Sequence, residues 1–210
     1  MSEIVIENLS RRRFLQGSAG LTLGFCLPVM AAGAAGKSGV VAASTATFEP
    51  NAFLRIGADN SVTVMSKHLE MGQGTYTGLA TILADELDAD WAHVRVEGAA
   101  ADAKRYNNTF WGPAQGTGGS TAMANSWDQM RKAGASGRAM LVSAAAKRWN
   151  VGATEIVVRD GIVSHAASGR KASFGELAVD AAKETVPADV KLKDPKDFRL
   201  IGKQAKRKDS

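Results

Sequence analysis

Residues Lys67–Leu87 read KHLEMGQGTYTGLATILADEL. Just before them, Val62 and Val64 alternate with polar neighbours, the pattern of a half-buried strand. Inside them, Leu79, Ile82, Leu83 and Leu87 recur at i, i+3, i+4 and i+8, one apolar stripe of a helix. Gly72-Gln73-Gly74 lies between strand and helix. A helix N-terminus exposes unpaired backbone N–H groups and a partial positive charge. Glycine lets the backbone take left-handed dihedrals and approach a ligand closely. The stretch therefore predicts a strand, a glycine turn and a helix whose mouth suits an anion.

Working outward, AFLRIGADNSVTVMSKH predicts two strands about a turn at Asp59-Asn60, and HVRVEGA a third strand after the helix. From Ala99 to Gly119 no period survives, and this stretch holds Tyr106, Phe110, Trp111 and a second glycine cluster, GPAQGTGGST. Loops of this length in a compact domain are usually functional or disordered, and the aromatics argue against disorder. A helix is expected from about Ser120 through Met123, Trp127 and Met130, followed by a second, alanine-rich helical segment, GRAMLVSAAAKRW. EIVVRDGIVSH predicts a hairpin at Asp160-Gly161. SFGELAVDAAKE predicts a short helix, with Ser173 as cap and Glu176 completing a capping box. The fold class is α+β with mixed and antiparallel strands. The expected layout is an address at 1–36, a linker at 37–50, an α+β domain at 51–186 and a basic tail at 187–210 that begins a linker.

The chain has 210 residues and a formal net charge of +5. The charge sits mainly at the two ends, and the middle lacks interleaved basic and aromatic residues, which argues against a nucleic-acid groove. One cysteine, Cys26, permits neither an internal disulfide nor an iron–sulfur cluster held by this chain alone. Near the start, Arg11 and Arg12 precede Phe14 and Leu15, then a short glycine-broken apolar run and an A-x-A site at Ala32-Gly33-Ala34. This order describes an export signal resembling the twin-arginine type, a receptor-read address rather than an anchor. That route moves folded proteins and many cofactor-loaded ones, so a cofactor is expected.

The chain places a glycine loop before a helix twice, at Gly72-Gln73-Gly74 and at Gly116–Ser120. Two such mouths facing one ligand would suit a large, polar, phosphate-bearing cofactor that does the chemistry itself. The plain alternative is that the glycines only turn the chain. A third reading takes Gly72, Gly74 and Gly78, with Glu97, as an imitation of a dinucleotide-binding unit. That unit needs a parallel crossover, whereas the preceding strand reads as half of a hairpin.

HLEMGQGTYTGLATILADELDADWAHVRVEGA, QGTGGSTAMANSWDQMRKAGASGRAMLVSAAAKRW and LKDPKDFRLIGKQAKRKDS resemble the molybdopterin-binding large subunit of isoquinoline 1-oxidoreductase and related membrane-linked aldehyde dehydrogenases, of the xanthine dehydrogenase family. The resemblance covers essentially the whole chain, and E-M-G-Q-G with the later G-G-S-T carries most of it. It implies that Met71, Gly72, Gln73 and Gly74 of the first loop, and Thr117, Gly118, Gly119 and Ser120 of the second, lie against molybdopterin. It also implies oxidation of an aldehyde or N-heterocycle with oxygen from water. Family members are several times longer, and their catalytic glutamate lies in a segment without a match here, so no residue is assigned as catalytic. The implied partners are a companion chain with the remaining hydroxylase domains, which would share the cofactor, a 2Fe–2S small subunit, a possible cytochrome c subunit, and the twin-arginine translocase. The implied location is the periplasm or the periplasmic face of the inner membrane.

Other residues read more plainly. His68 and Glu70 form only an H-x-E pair, too little for a metal site. His93 is expected to face solvent, and Phe110 and Trp111 to anchor their loop, the alternative being that they line a substrate approach. Gly134 and Gly137 should permit close helix packing. Asp85, Glu86, Asp88 and Asp90 look like a solvated helix end. Two functions follow: the cofactor-cradling part of a molybdenum hydroxylase subunit, inactive alone, or a small exported binding protein or split-gene remnant without catalysis.

Overall fold

The computed structural model describes residues 47–209. The export motif at Arg11, Arg12, Phe14 and Leu15 lies outside the described residues. Strands β1 (Thr47–Asn51), β2 (Leu54–Gly57), β3 (Val62–Ser66) and β4 (Val94–Gly98) form one sheet in that order. The expected β2–β3 hairpin is present, with Asn60 left-handed in its turn (φ 67°). β1, which begins inside the stretch expected to be linker, pairs antiparallel with β2. β3 also pairs parallel with β4, across helix α1 (Thr75–Leu87). The hairpin therefore does not exclude a parallel crossover: the turn uses one edge of β3 and the crossover uses the other.

Past a short helix, α2 (Ala103–Tyr106), comes α3 (Ala122–Trp149), a single 28-residue helix where two segments were expected. Gly134 does not interrupt it. A Cβ there would stand 2.3 Å from the Leu83 carbonyl oxygen, so this glycine lets the backbones of α1 and α3 meet. Leu79, Leu83 and Leu87 of α1 and Met130 and Leu141 of α3 are fully buried in that core with Ile56 and Val64. No helix among the described residues is long and apolar enough to cross a membrane.

The second sheet contains the expected hairpin, β5 (Ile156–Arg159) and β6 (Ile162–His165), plus β7 (Arg170–Ser173). Helix α4 (Phe174–Ala181) follows directly and has the anticipated capping box: Ser173 Oγ accepts from the Glu176 amide and the Ser173 amide donates to Glu176 Oε2. Asn60 Oδ1 accepts from Gly175 N at 2.8 Å and ties α4 to the first hairpin.

The acidic end of α1 is not solvated throughout. Asp85 and Glu86 are buried. Arg131 Nε donates to Glu86 Oε1 at 2.6 Å, and Asp85 Oδ2 accepts the backbone N–H groups of Arg199, Leu200 and Ile201. Lys193 Nζ reaches Asp88 Oδ1 at 2.6 Å. The basic tail, which shows no apolar period, is thus fastened to the body through its charges and its own N–H groups. Phe198 also packs edge-on to Trp127, with the Arg131 guanidinium against both rings.

Candidate functional site

The structure brings the two glycine loops together at the mouths of α1 and α3. The Leu69 amide donates to Thr117 Oγ1 at 2.8 Å, joining one loop to the other. Beneath this junction lies His68, fully buried, with Nδ1 3.1 Å from the Gly116 carbonyl oxygen and Nε2 3.1 Å from Asn125 Nδ2. Burial lowers the His68 pKa, and the neighbouring Lys67 charge adds to this, against the hydrogen bonds that the imidazole makes with Asn125 and with the Gly116 carbonyl. Lys67 is buried as well. Its Nζ donates to the Asn107 carbonyl and to Gln129 Oε1, and burial pushes its pKa down to about 8.

The loops differ in what they leave free. In the first, Gly72 and Gly74 take left-handed dihedrals (φ 98° and 85°). These turns aim the amides of Gly72, Gly74 and Tyr76 at the Glu70 carboxylate, 2.7 to 2.9 Å away. Those hydrogen bonds lower the Glu70 pKa. The anion-binding mouth of α1 is therefore filled by the chain's own carboxylate. Gln73 is engaged too: its Oε1 accepts from the Met71 amide at 2.6 Å and its Nε2 donates to the Leu69 carbonyl at 2.8 Å. The expectation of an open anion mouth is thus corrected at α1. Among the described residues, what the first loop leaves free is the Gln73 N–H and an apolar outer surface, with Leu69 and Met71 exposed.

The second loop remains open. Among the described residues, the N–H groups of Thr117, Gly118, Gly119 and Ser120 donate to no protein acceptor. Thr121, the N-cap of α3, makes no side-chain cap, and the first turn carries no acid. Gly119 and Ser120 are both left-handed (φ 61° and 54°), a conformation that turns successive amides in a loop. Free amides at the positive end of a long helix suit a polyanionic ligand. Trp111 lies over this loop: a Cβ at Gly116 or Gly118 would meet its ring at 2.6 or 3.2 Å. Trp111 therefore anchors the loop, as expected, whereas Phe110 is exposed. With Leu69, Met71 and Met123, also exposed, these aromatics give the site an apolar rim.

Several of these roles leave little mark in the sequence. His68 and Glu70 do not share a ligand; one holds the second loop and the other fills the first. Asn125 and Lys67 carried no local signal. Glu70 did carry one, an acid just ahead of a helix, where the dipole favours negative charge. The dinucleotide-like reading also weakens, because Glu97 pairs with Arg55 at 2.7 Å and the α1 mouth is occupied. His93 is exposed as expected and bonds Asp90 at 2.8 Å.

The molybdopterin cofactor-binding domain family matches residues 17–208. The isoquinoline 1-oxidoreductase subunit beta of Brevundimonas diminuta is 35% identical over 235 residues, covering 96% of this chain and 30% of that relative. The membrane-bound aldehyde dehydrogenase [pyrroloquinoline-quinone] of Gluconacetobacter polyoxogenes is 35% identical over 202 residues, covering 93% of this chain and 25% of that protein. The chain thus spans less than a third of the length of these relatives. Among solved structures, quinoline 2-oxidoreductase from Pseudomonas putida 86 is 23% identical with a TM-score of 0.46, over 60% of this chain and 15% of that one.

Proposed function

Because this chain belongs to the molybdopterin cofactor-binding domain family, we propose that its two glycine loops cradle the molybdopterin of a molybdenum hydroxylase subunit. The observation that carries this reading is the second loop, four unengaged amides at the mouth of a 28-residue helix, tied to the first loop by Leu69 and Thr117. In this reading the amides of Thr117, Gly118, Gly119 and Ser120 donate to the anionic part of the cofactor. Met71 packs against it, and Gly72, Gln73 and Gly74 supply a braced backbone wall. When bound, the molybdenum centre supplies the oxidation of an aldehyde or N-heterocycle with oxygen from water. The chain's residues bind the cofactor, orient it and shield it from solvent.

The activity belongs, in this proposal, to an assembly and not to the chain alone. A companion chain carries the remaining hydroxylase domains and the catalytic base, and a 2Fe–2S subunit, with a cytochrome c subunit beyond it, takes the electrons. A relative named as a subunit beta supports companion subunits. Export by the twin-arginine route to the periplasm rests on Arg11 and Arg12. The alternative of a non-catalytic binding protein predicts no molybdenum.

The test uses a charge at Gly119. Asn and Asp both tolerate left-handed backbone, and a Cβ there meets only Thr121 Cγ2, at 3.7 Å. The chain purified with its companion should keep its molybdenum and pterin as Gly119→Asn. As Gly119→Asp, repulsion should lower both by roughly tenfold or more under limiting cofactor, equivalent to ~1.4 kcal/mol. Equal content in the two variants, or a bound quinone in place of a pterin, would overturn the proposal.

A further inference from the structure

We propose that His68 is a positioning residue that aims the open amides of the second loop at the cofactor. The inference rests on the cradle reading above and adds the device that holds the cradle open. A carbonyl oxygen can only accept, so at 3.1 Å from Gly116 O the His68 Nδ1 carries the proton. Nε2 then carries the lone pair and accepts from Asn125 Nδ2 at 3.1 Å. The same Asn125 Nδ2 donates to the Thr121 carbonyl at 2.6 Å. Asn108 Nδ2 donates to Thr121 Oγ1 at 2.8 Å, and Thr121 Oγ1 donates to the Gly118 carbonyl, also at 2.8 Å. The polar groups beneath the loop thus hold three of its carbonyls, those of Gly116, Gly118 and Thr121.

Holding a carbonyl fixes an amide. In a planar trans peptide, the C=O of one residue and the N–H of the next point in opposite directions. With the Gly116 oxygen drawn onto His68, the Thr117 N–H faces away from it. With the Gly118 oxygen drawn onto Thr121, the Gly119 N–H is turned the other way. The Thr117 hydroxyl meanwhile accepts from Leu69, so the same hook sets the spacing of the two loops. With the proton on Nδ1, a neutral ring leaves the Nε2 lone pair for Asn125 Nδ2, the nearer of the two amide atoms at 3.1 Å against 3.4 Å for Oδ1. Burial, which lowers the His68 pKa, favours that form.

The test follows the isotope-labelled full chain by NMR, with inorganic pyrophosphate as the probe. Pyrophosphate should shift the wild-type amide signals of residues 117–120. His68→Leu keeps an apolar volume and removes the donor; it should weaken the response by roughly tenfold. His68→Asn restores an N–H beside the Gly116 carbonyl and should stay within about threefold of wild type. No wild-type response would overturn the cradle reading itself. A wild-type response that His68→Leu leaves unchanged would overturn the positioning role and leave the cradle reading standing. Equal loss in both variants would also overturn it, since an N–H restored beside the Gly116 carbonyl would then rescue nothing. If the variants fail to fold, the wild-type imidazole decides: its ¹⁵N signals should report the Nδ1–H tautomer, and an Nε2–H tautomer would contradict the hook.

Discussion

Lys67 shows how much the floor of the site depends on single groups. Its ammonium is buried against a carbonyl and an amide, and among the described residues no carboxylate pairs with it. Its pKa stands at about 8 in the folded chain against an ordinary 10.5. Below pH 8 both folded and unfolded chains hold the proton, and the full burial penalty applies. Between pH 8 and 10.5 the unfolded chain binds more protons, so stability rises with pH across that window. Melting curves of wild type and Lys67→Met should therefore diverge in favour of wild type as pH climbs from 8 to 10. Parallel curves would show that Lys67 is not buried as a charge. This residue, like His68 and Asn125, was illegible in the sequence. Lysine and histidine beside a glycine loop ordinarily face water, and the partners that bury them lie 40 to 62 residues away. The glycines themselves were legible, because a helix mouth is a local feature. The occupation of one mouth by Glu70 was not read.

At the scale of elements, local signals were sufficient wherever the cause was local. The stripe of α1, the hairpin turns and the Ser173–Glu176 box all appear as read. Glycine weakens a helix by ~1 kcal/mol relative to alanine, and Gly134 sits inside α3 for the close packing expected of it. The reason for Gly134 lies in another element, the Leu83 carbonyl of α1. This gives a test with opposed expectations. If propensity governed, Gly134→Ala would stabilise the chain. Because backbone stands 2.3 Å from the new Cβ, overpacking of roughly 1–3 kcal/mol should outweigh the gain. Calorimetry should then show a lower melting temperature, by about 2–4 °C for each kcal/mol lost. An unchanged or higher value would mean that the helices can part without loss. The parallel β3–β4 pairing was missed for a similar reason: a turn reports on one edge of a strand and says nothing of the other.

Across the whole molecule, the loops are held by a body that closes on itself through charge. Asp85 gathers three backbone N–H groups of the tail, and Glu86 pairs with Arg131, which lies against Trp127 and Phe198. Breaking a buried pair of this kind by removing one partner destabilises by ~3–5 kcal/mol. A run of acids followed a hundred residues later by a run of bases gives no period to read, so the docked tail was invisible beforehand. Its role is to clamp the C-terminal half of α1, whose opposite end forms one mouth of the site. The central claim is that this body presents two joined loops to one molybdopterin. Amide hydrogen exchange, compared between cofactor-loaded and cofactor-stripped forms of the chain in complex with its companion, tests it most directly. The account predicts protection on loading at residues 71–74 and most strongly at 117–120, with β5, β6 and β7 unchanged. Protection absent from both loops, or confined to other parts of the chain, would contradict it.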